Sequence, residues 1–162
     1  MRGFTIRVAK EKDIKAISRF GTPVAKEMRF YNKEHTAGNI YEMSVKYLKN
    51  AFKYYNSRTV IALAKDGNIV GLCMHYPGHG HVDWLDWLLV DKRFRKMGLG
   101  KALIDYAIKD AKKQGCHKMW CDSNPGNKPM LKFMPKIGFR KVGTLKKHAY
   151  REDEILWEKL FN

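Results

Sequence analysis

The run Val82-Asp83-Trp84-Leu85-Asp86-Trp87-Leu88-Leu89-Val90 is extended and largely apolar, and it leads straight into a basic, glycine-bearing turn. That turn, Asp91-Lys92-Arg93-Phe94-Arg95-Lys96-Met97-Gly98-Leu99-Gly100, is followed by an amphipathic stretch with Leu99, Leu103, Ala107 and Ala111 at i, i+4 spacing. An apolar run of this length bounded by turn residues reads as a strand buried on both faces. Apolar residues four apart read as a helix, here Leu99 to Lys113, with Gly115 as its stop. A buried strand feeding a helix through a glycine turn requires a sheet with helices packed on it. The chain therefore belongs to the α/β (α+β) class.

The flanking sequence extends this unit. Phe4 to Val8 alternates as a strand, and Lys12 to Phe20 carries Ile14, Ile17 and Phe20 at helical spacing, stopped by Gly21-Thr22-Pro23. Met28 to Tyr55 reads as helix in two pieces, broken at Gly38-Asn39. Thr59 to Ala64 and Ile69 to Tyr76 are strands joined by the hairpin turn Lys65-Asp66-Gly67-Asn68. Lys118 to Ser123 is a strand, and Asn127 caps a short helix ending near Gly138. Phe139 to Leu145 and Ile155 to Leu160 close the sheet. The order is β-α-α-β-β-β-α-β-α-β-β, a mixed sheet of about six to seven strands with about four helices. No linker or repeat divides residues 1–162, so one domain is expected.

Composition narrows the possibilities. No apolar run approaches bilayer length, and the N-terminus lacks a signal-peptide core, so a cytoplasmic protein is expected. Three cysteines, Cys73, Cys116 and Cys121, do not make a disulfide framework. Formal net charge is +16, and between Lys92 and Lys147 sixteen Lys and Arg stand against Asp105, Asp110 and Asp122. Such a field favours anions: a phosphorylated ligand, a nucleic acid, or an acidic partner such as a ribosome. Cys73-Met74-His75-Tyr76-Pro77-Gly78-His79-Gly80-His81-Val82-Asp83 gathers metal-ligating types, but its spacing matches no zinc module, so no metal is expected.

The turn after Val90 has a chemistry of its own. A helix start presents unpaired N–H groups and partial positive charge. Glycines let those groups approach an anion, and Arg93, Arg95, Lys96 and Lys101 add charge. The P-loop pattern fails, since Arg95 stands at its first glycine and Ala102 at its Ser/Thr. The dinucleotide fingerprint fails at Leu103. Arg95-x-x-Gly98-x-Gly100 fits Arg/Gln-x-x-Gly-x-Gly/Ala and resembles the GNAT (Gcn5-related N-acetyltransferase) superfamily. Further segments match in order. Ile6 to Ala9 with Asp13 is similar to the family's opening, and Leu88 to Asp91 to its fourth strand. Asn127-x-x-Met130-x-x-Phe133-Met134-x-x-x-Gly138-Phe139 is similar to its late helix, and Glu154 to Lys159 to its last strand.

The resemblance implies an acetyl-CoA-dependent N-acetyltransferase working by direct transfer to a primary amine. Acetyl-CoA would lie between strands Val82–Val90 and Lys118–Ser123. Leu88, Leu89 and Val90 would pair with the pantetheine arm, residues Arg95, Lys96, Met97, Gly98, Leu99, Gly100 and Lys101 would hold the pyrophosphate, and Asn127 would contact the other side. An alkyl ammonium has a pKa near ~10 and must lose a proton before it attacks. Asp86 and then Asp83 are the candidate bases, since a carboxylate in an apolar strand is costly unless paired or used. Asp86 shares a face with Trp84, Leu88 and Val90 if the strand is regular; a bulge changes that. The family's usual proton-donating Tyr is replaced by Met134, and Pro135 is expected to bend or end its helix. Tyr150, Tyr76, His148 or water are the substitutes, with Tyr150 named first. Aromatics among Phe30, Tyr31, Tyr41, Tyr47, Phe52, Tyr54 and Tyr55 are expected in the core, with one or two facing substrate.

Acceptors compatible with the resemblance are an amine-bearing small molecule or a peptide or protein, with no membrane partner and a monomer or homodimer. Two other readings remain open: a basic nucleic-acid- or ribosome-associated protein on the same fold, and a CoA-binding member without catalysis.

Overall fold

The computed structural model describes residues 3–161. Its strands are β1 (Phe4–Val8), β2 (Arg58–Ala64), β3 (Ile69–Pro77), β4 (Val82–Val90), β5 (Lys118–Ser123), β6 (Arg140–Leu145) and β7 (Glu154–Leu160). Its helices are α1 (Ile14–Lys26), α2 (Lys33–Glu42), α3 (Val45–Tyr54), α4 (Leu99–Lys113) and α5 (Lys128–Lys136). One seven-stranded sheet runs β1-β2-β3-β4-β5-β7-β6. Among the described residues only the β4–β5 pair is parallel; the other neighbours are antiparallel.

The sheet divides the core into two layers. On one side α4 and α5 cover Val60, Val70, Cys73, Leu85, Met119 and Cys121, with Leu103 and Ile104 as the helix's contribution. On the other, α1 to α3 cover Ile61, Leu72, Met74, Trp87 and Leu89 through Ile17, Met43 and Leu48. Gly71 lets α4 sit close: a Cβ there would lie 2.9 Å from Leu103 Cδ1 and 3.2 Å from the Leu89 carbonyl.

Two helix boundaries differ from the sequence reading, each for a packing reason. The first helix does not stop at Gly21 but continues to Lys26. Gly21 lies against the Met43 thioether with no room for a Cβ, so the glycine serves helix packing rather than termination. The second region breaks at Met43-Ser44, not at Gly38-Asn39. Asn32 Oδ1 accepts from His35 N at 2.8 Å and Ser44 Oγ from Tyr47 N at 3.2 Å, so each half has its own N-cap. Gly38 lies inside the helix, and the Tyr150 hydroxyl occupies the space a Cβ would take, so this glycine too marks close packing rather than a break. These caps give five helices where about four are expected.

Strand β4 is the third difference. It is not buried evenly on both faces, because its register slips where Met74 pairs with Trp87 but His75 pairs with Leu85. Asp86 is the extra residue of this bulge. Before it, Leu85 faces α4; after it, Trp87 and Leu89 face α1–α3, while Leu88 and Val90 face α4 and α5. Asp86 therefore shares a side with Trp87, not with Leu88 and Val90. Pairing with β5 also ends here: Val82 to Trp84 pair with Lys118 to Trp120 and no further. Beyond the Trp84–Trp120 ring contact, with centroids 6.5 Å apart, the two strands diverge into a V.

Leu103 is fully buried where α4 meets the sheet. Replacing it with Ala removes packed methyls and leaves a void, at a cost of about 2–5 kcal/mol. Urea unfolding followed by circular dichroism should read that loss as a lower midpoint with an unchanged slope.

Candidate active site at the divergence of two parallel strands

On the α4 side, the V opens into a cleft of about 1070 Å³. Leu88, Leu89 and Val90 form one wall, the N-terminus of α4 the floor, and Asn127 with Phe133 of α5 the other wall. Arg95, Lys96, Gly98, Leu99, Gly100 and Lys101 also line it, while Met97 is 62 % exposed and does not. The sequence-named residues of the turn are thus brought together, Met97 excepted.

The turn is built to present backbone donors. Asp91 Oδ1 accepts from Arg93 N at 2.9 Å, and Arg95 Nε donates to the Val90 carbonyl at 3.0 Å. Lys96 and Gly98 adopt φ of 61° and 79°, which reverses the chain tightly. The first intrahelical bond of α4 runs from Ala102 N to the Gly98 carbonyl at 3.0 Å. The N–H groups of Leu99, Gly100 and Lys101 therefore have no acceptor within the helix. A Cβ on Gly100 would stand 3.4 Å from the Phe133 ring, so larger side chains would fill the cradle from its floor. Seven basic side chains line the cleft against one acid, Glu27, and Lys92 pairs with that acid at 2.6 Å. Donors, positive charge and an apolar trough of Val24, Met28, Leu88 and Met130 suit a phosphorylated ligand with a long, weakly polar arm. Asn127 caps α5 through Met130 N at 3.2 Å, which leaves its Nδ2 group for a ligand.

The opposite side of the V is acidic. Asp86 lies in a recess with Tyr47, Tyr55, Met74 and Tyr76. It is solvent-accessible at the mouth but ringed by protein, and the resulting desolvation, together with the charges of Glu42 and Asp122, raises its pKa to about 7. Glu42 accepts from Trp87 Nε1 at 2.9 Å, and its pKa is raised, mainly by desolvation. Asp122 is raised for the same reason, partly offset by His148 and His35. Glu154 is raised to about 8 by burial and by the charges of Asp122 and Glu152. Tyr31 lies among these acids, which with burial push its hydroxyl well above the usual range, so it is protonated at neutral pH. Its ring lies 4.6 Å from Phe30, whose side chain lines the cleft, and 3.9 Å from His35.

Three other sequence-named residues lie elsewhere. Asp83 is fully buried on the α4 side, where its carboxylate meets His75 Nδ1 at 3.0 Å. The bulge separates it from Asp86, so it does not reach the acidic recess. Tyr150 lines neither recess: its ring lies 4.7 Å from His35 and its carbonyl accepts from Asn32 Nδ2 at 3.0 Å, which clamps the chain onto α2. Met134 is buried in the α4-side core with no donor to offer. Conversely, Glu42, Asp122, Glu154 and Tyr31 escape sequence reading. Each is an ordinary polar residue on its own element, and only the sheet order assembles them. Among the described residues, no group of three or more His, Cys, Asp and Glu is arranged to hold a metal ion. No described helix is long and apolar enough to cross a membrane.

Known proteins share this architecture. The chain resembles PaiA N-acetyltransferase of Thermoplasma acidophilum, solved with coenzyme A, at 19 % identity and TM-score 0.81, covering 98 % of this chain and 99 % of that one. It also resembles a GNAT-family acetyltransferase of Streptococcus pneumoniae, at 24 % identity and TM-score 0.76, over 98 % and 99 % of the two chains. In sequence it is 27 % identical over 74 residues to the ribosomal protein bS18-alanine N-acetyltransferase of Escherichia coli. That match spans 43 % of this chain and about half the length of the relative, 49 %. Residues 24–139 match the acetyltransferase (GNAT) family, so the chain belongs to that family of acetyl-CoA-dependent enzymes.

Proposed function

We propose that this chain acts as a single domain, residues 1–162, that transfers the acetyl group of acetyl-CoA directly to a primary amine in a ternary complex. The observation that carries this reading is the V between β4 and β5, with a basic, amide-lined cleft on one side and a carboxylate recess on the other. The amides of Leu99, Gly100 and Lys101 would hold the pyrophosphate, with Arg95, Lys96 and Lys101 supplying charge and Gly98 the turn. Leu88, Leu89 and Val90 would flank the pantetheine arm, and β4 past the bulge has no β5 partner there to occupy its polar groups. Asn127 would close the far wall.

Asp86 acts as the base. An acceptor amine arrives protonated and must give up a proton before its lone pair attacks the thioester carbonyl. A carboxylate with a pKa near 7 suits that transfer near neutral pH, directly or through one water. Collapse of the tetrahedral intermediate breaks the C–S bond and releases a thiolate, which leaves well because a thiol pKa is roughly 8–9. A strong acid at Met134 is therefore not required. The E. coli relative modifies an alanine of a ribosomal protein, which supports amine chemistry; its partial match does not extend to the acceptor.

Two outcomes test this reading. Gly100→Leu should weaken coenzyme A binding by about 100-fold or more in calorimetry, since each lost tenfold corresponds to ~1.4 kcal/mol. Unchanged affinity would remove the cleft from the account. For Asp86, the productive pair is the ionised carboxylate with the ammonium it deprotonates, so log(kcat/KM) should rise with pH at a slope of about 1 up to the Asp86 pKa and level off between it and the amine pKa. Asp86→Asn should lower kcat about 100-fold to 10,000-fold and keep the slope near 1 throughout.

A further inference from the structure

The acids of this chain differ in the partners they meet. Those outside the site are mostly paired with a basic side chain: Asp13 with Arg7, Asp91 with Arg93, Asp110 with Arg58, Asp153 with Lys146, and Glu158 with Lys118 and Arg140. Glu42, Asp86, Asp122 and Glu154 make no ion pair with any Lys or Arg among the described residues. Five other acids also lack a Lys or Arg partner, but Glu11, Glu34 and Asp66 are exposed on the surface, and Asp83 and Glu152 meet His75 and His35.

Register puts these four on one face of the sheet. Cys121 and Ser123 of β5 are buried toward α4, so Asp122 projects to the α2 side. Asp122 pairs with Leu156 and Ser123 with Ile155, which sets Glu154 next along the same face of β7. Asp86 and the Trp87-bound Glu42 close the group from β4 and α2. Glu154 is the second observation. It is only 2 % exposed, and no described donor or cation satisfies its carboxylate. A buried, unpaired carboxyl is held neutral by its surroundings, and it becomes a strong partner for a cation that enters beside it and restores its charge. The histidines nearby do not supply it: His35 is engaged by Glu152 at 2.8 Å, and His148 is exposed. Tyr31, Tyr47 and Tyr76 border the acids and add aromatic rings of the kind that favour cations.

We infer that the acceptor is a linear alkyl diamine or polyamine, with one terminal nitrogen reacting at Asp86 and a second, protonated nitrogen held by Asp122, Glu154 and Glu42. This rests on the acetyl-transfer reading and names its substrate class. A thin alkyl chain can pass an ammonium to a carboxylate as enclosed as Glu154. A peptide backbone, which needs an open groove and its own hydrogen-bond partners, is poorly served by a carboxyl so enclosed. The raised carboxyls of Asp86 and Glu154, to about 7 and about 8, fit the same picture: burial first, then neighbouring like charges without a counterion, favour protonation, and a bound ammonium would draw both back toward the ionised form.

The test compares putrescine and spermidine with n-butylamine and with a basic peptide bearing a free N-terminal alanine. Release of the coenzyme A thiol gives turnover, and calorimetry of spermidine into the protein–coenzyme A complex gives binding without turnover. The expected result is a kcat/KM for the diamines at least about 100-fold above the monoamine, two powers of ten for one enclosed ion pair. Glu154→Gln should cut that ratio about tenfold or more, while an unchanged affinity for coenzyme A shows that it is folded. Equal turnover of mono- and diamines, preference for the peptide, or a ratio unmoved by Glu154→Gln overturns the inference and leaves acetyl transfer standing. If no amine turns over, spermidine binding that is lost in Glu154→Gln upholds the site and sinks the transfer reading. Absence of such binding overturns the site as well.

Discussion

Divergence of β4 from β5 after Trp84 and Trp120 is the constraint on which the rest depends. A parallel pair that stayed zipped would use its own backbone groups and leave no space between the strands. The bulge at Asp86 bends β4 away and turns Asp86 and Trp87 toward the same side. One irregularity thereby opens the cleft, frees strand polar groups beside it and turns a carboxylate into the recess on the opposite side of the sheet. The two hydrophobic layers hold the opening rigid, because Leu88 and Val90 anchor one side of β4 and Trp87 and Leu89 the other.

Electrostatics then divide the labour. The cleft side carries seven basic side chains and the helix-start amides, whereas the opposite face carries carboxylates without basic partners. Such fields favour an anion on one side of the diverging strands and a cation on the other. The carboxylate face has a cost. Raising the Asp86 pKa from 3.8 to about 7 means the native state binds more protons than the unfolded chain between those values, so this group's contribution to stability falls as pH rises across them. Bulk net charge is a poor guide to such a chain, since the strong positive total conceals a local acidic site.

How far sequence reading reaches follows from the range of each signal. The strand–glycine–helix unit and its residues from Leu88 to Lys101 are local in sequence, so the cradle is legible apart from Met97, whose side chain leaves the cleft. Asn127 is legible as a cap for the same reason. The helix ends at Gly21 and Gly38 are misread because glycine also marks close packing, here against Met43 and Tyr150, which lie far along the chain. Asp83 and Asp86 look equivalent in a regular strand, and only the bulge separates a buried partner of His75 from an open carboxylate. Glu42, Asp122 and Glu154 come from a helix and two strands, so no spacing rule joins them.

A crystal structure with coenzyme A and putrescine bound tests the central claim most directly. The account predicts the pyrophosphate on the amides of residues 99–101, the sulfur inside the V between β4 and β5, and the amine beside Asp86. Phosphates seated elsewhere on the basic surface, or a sulfur that does not open toward Asp86, would contradict it.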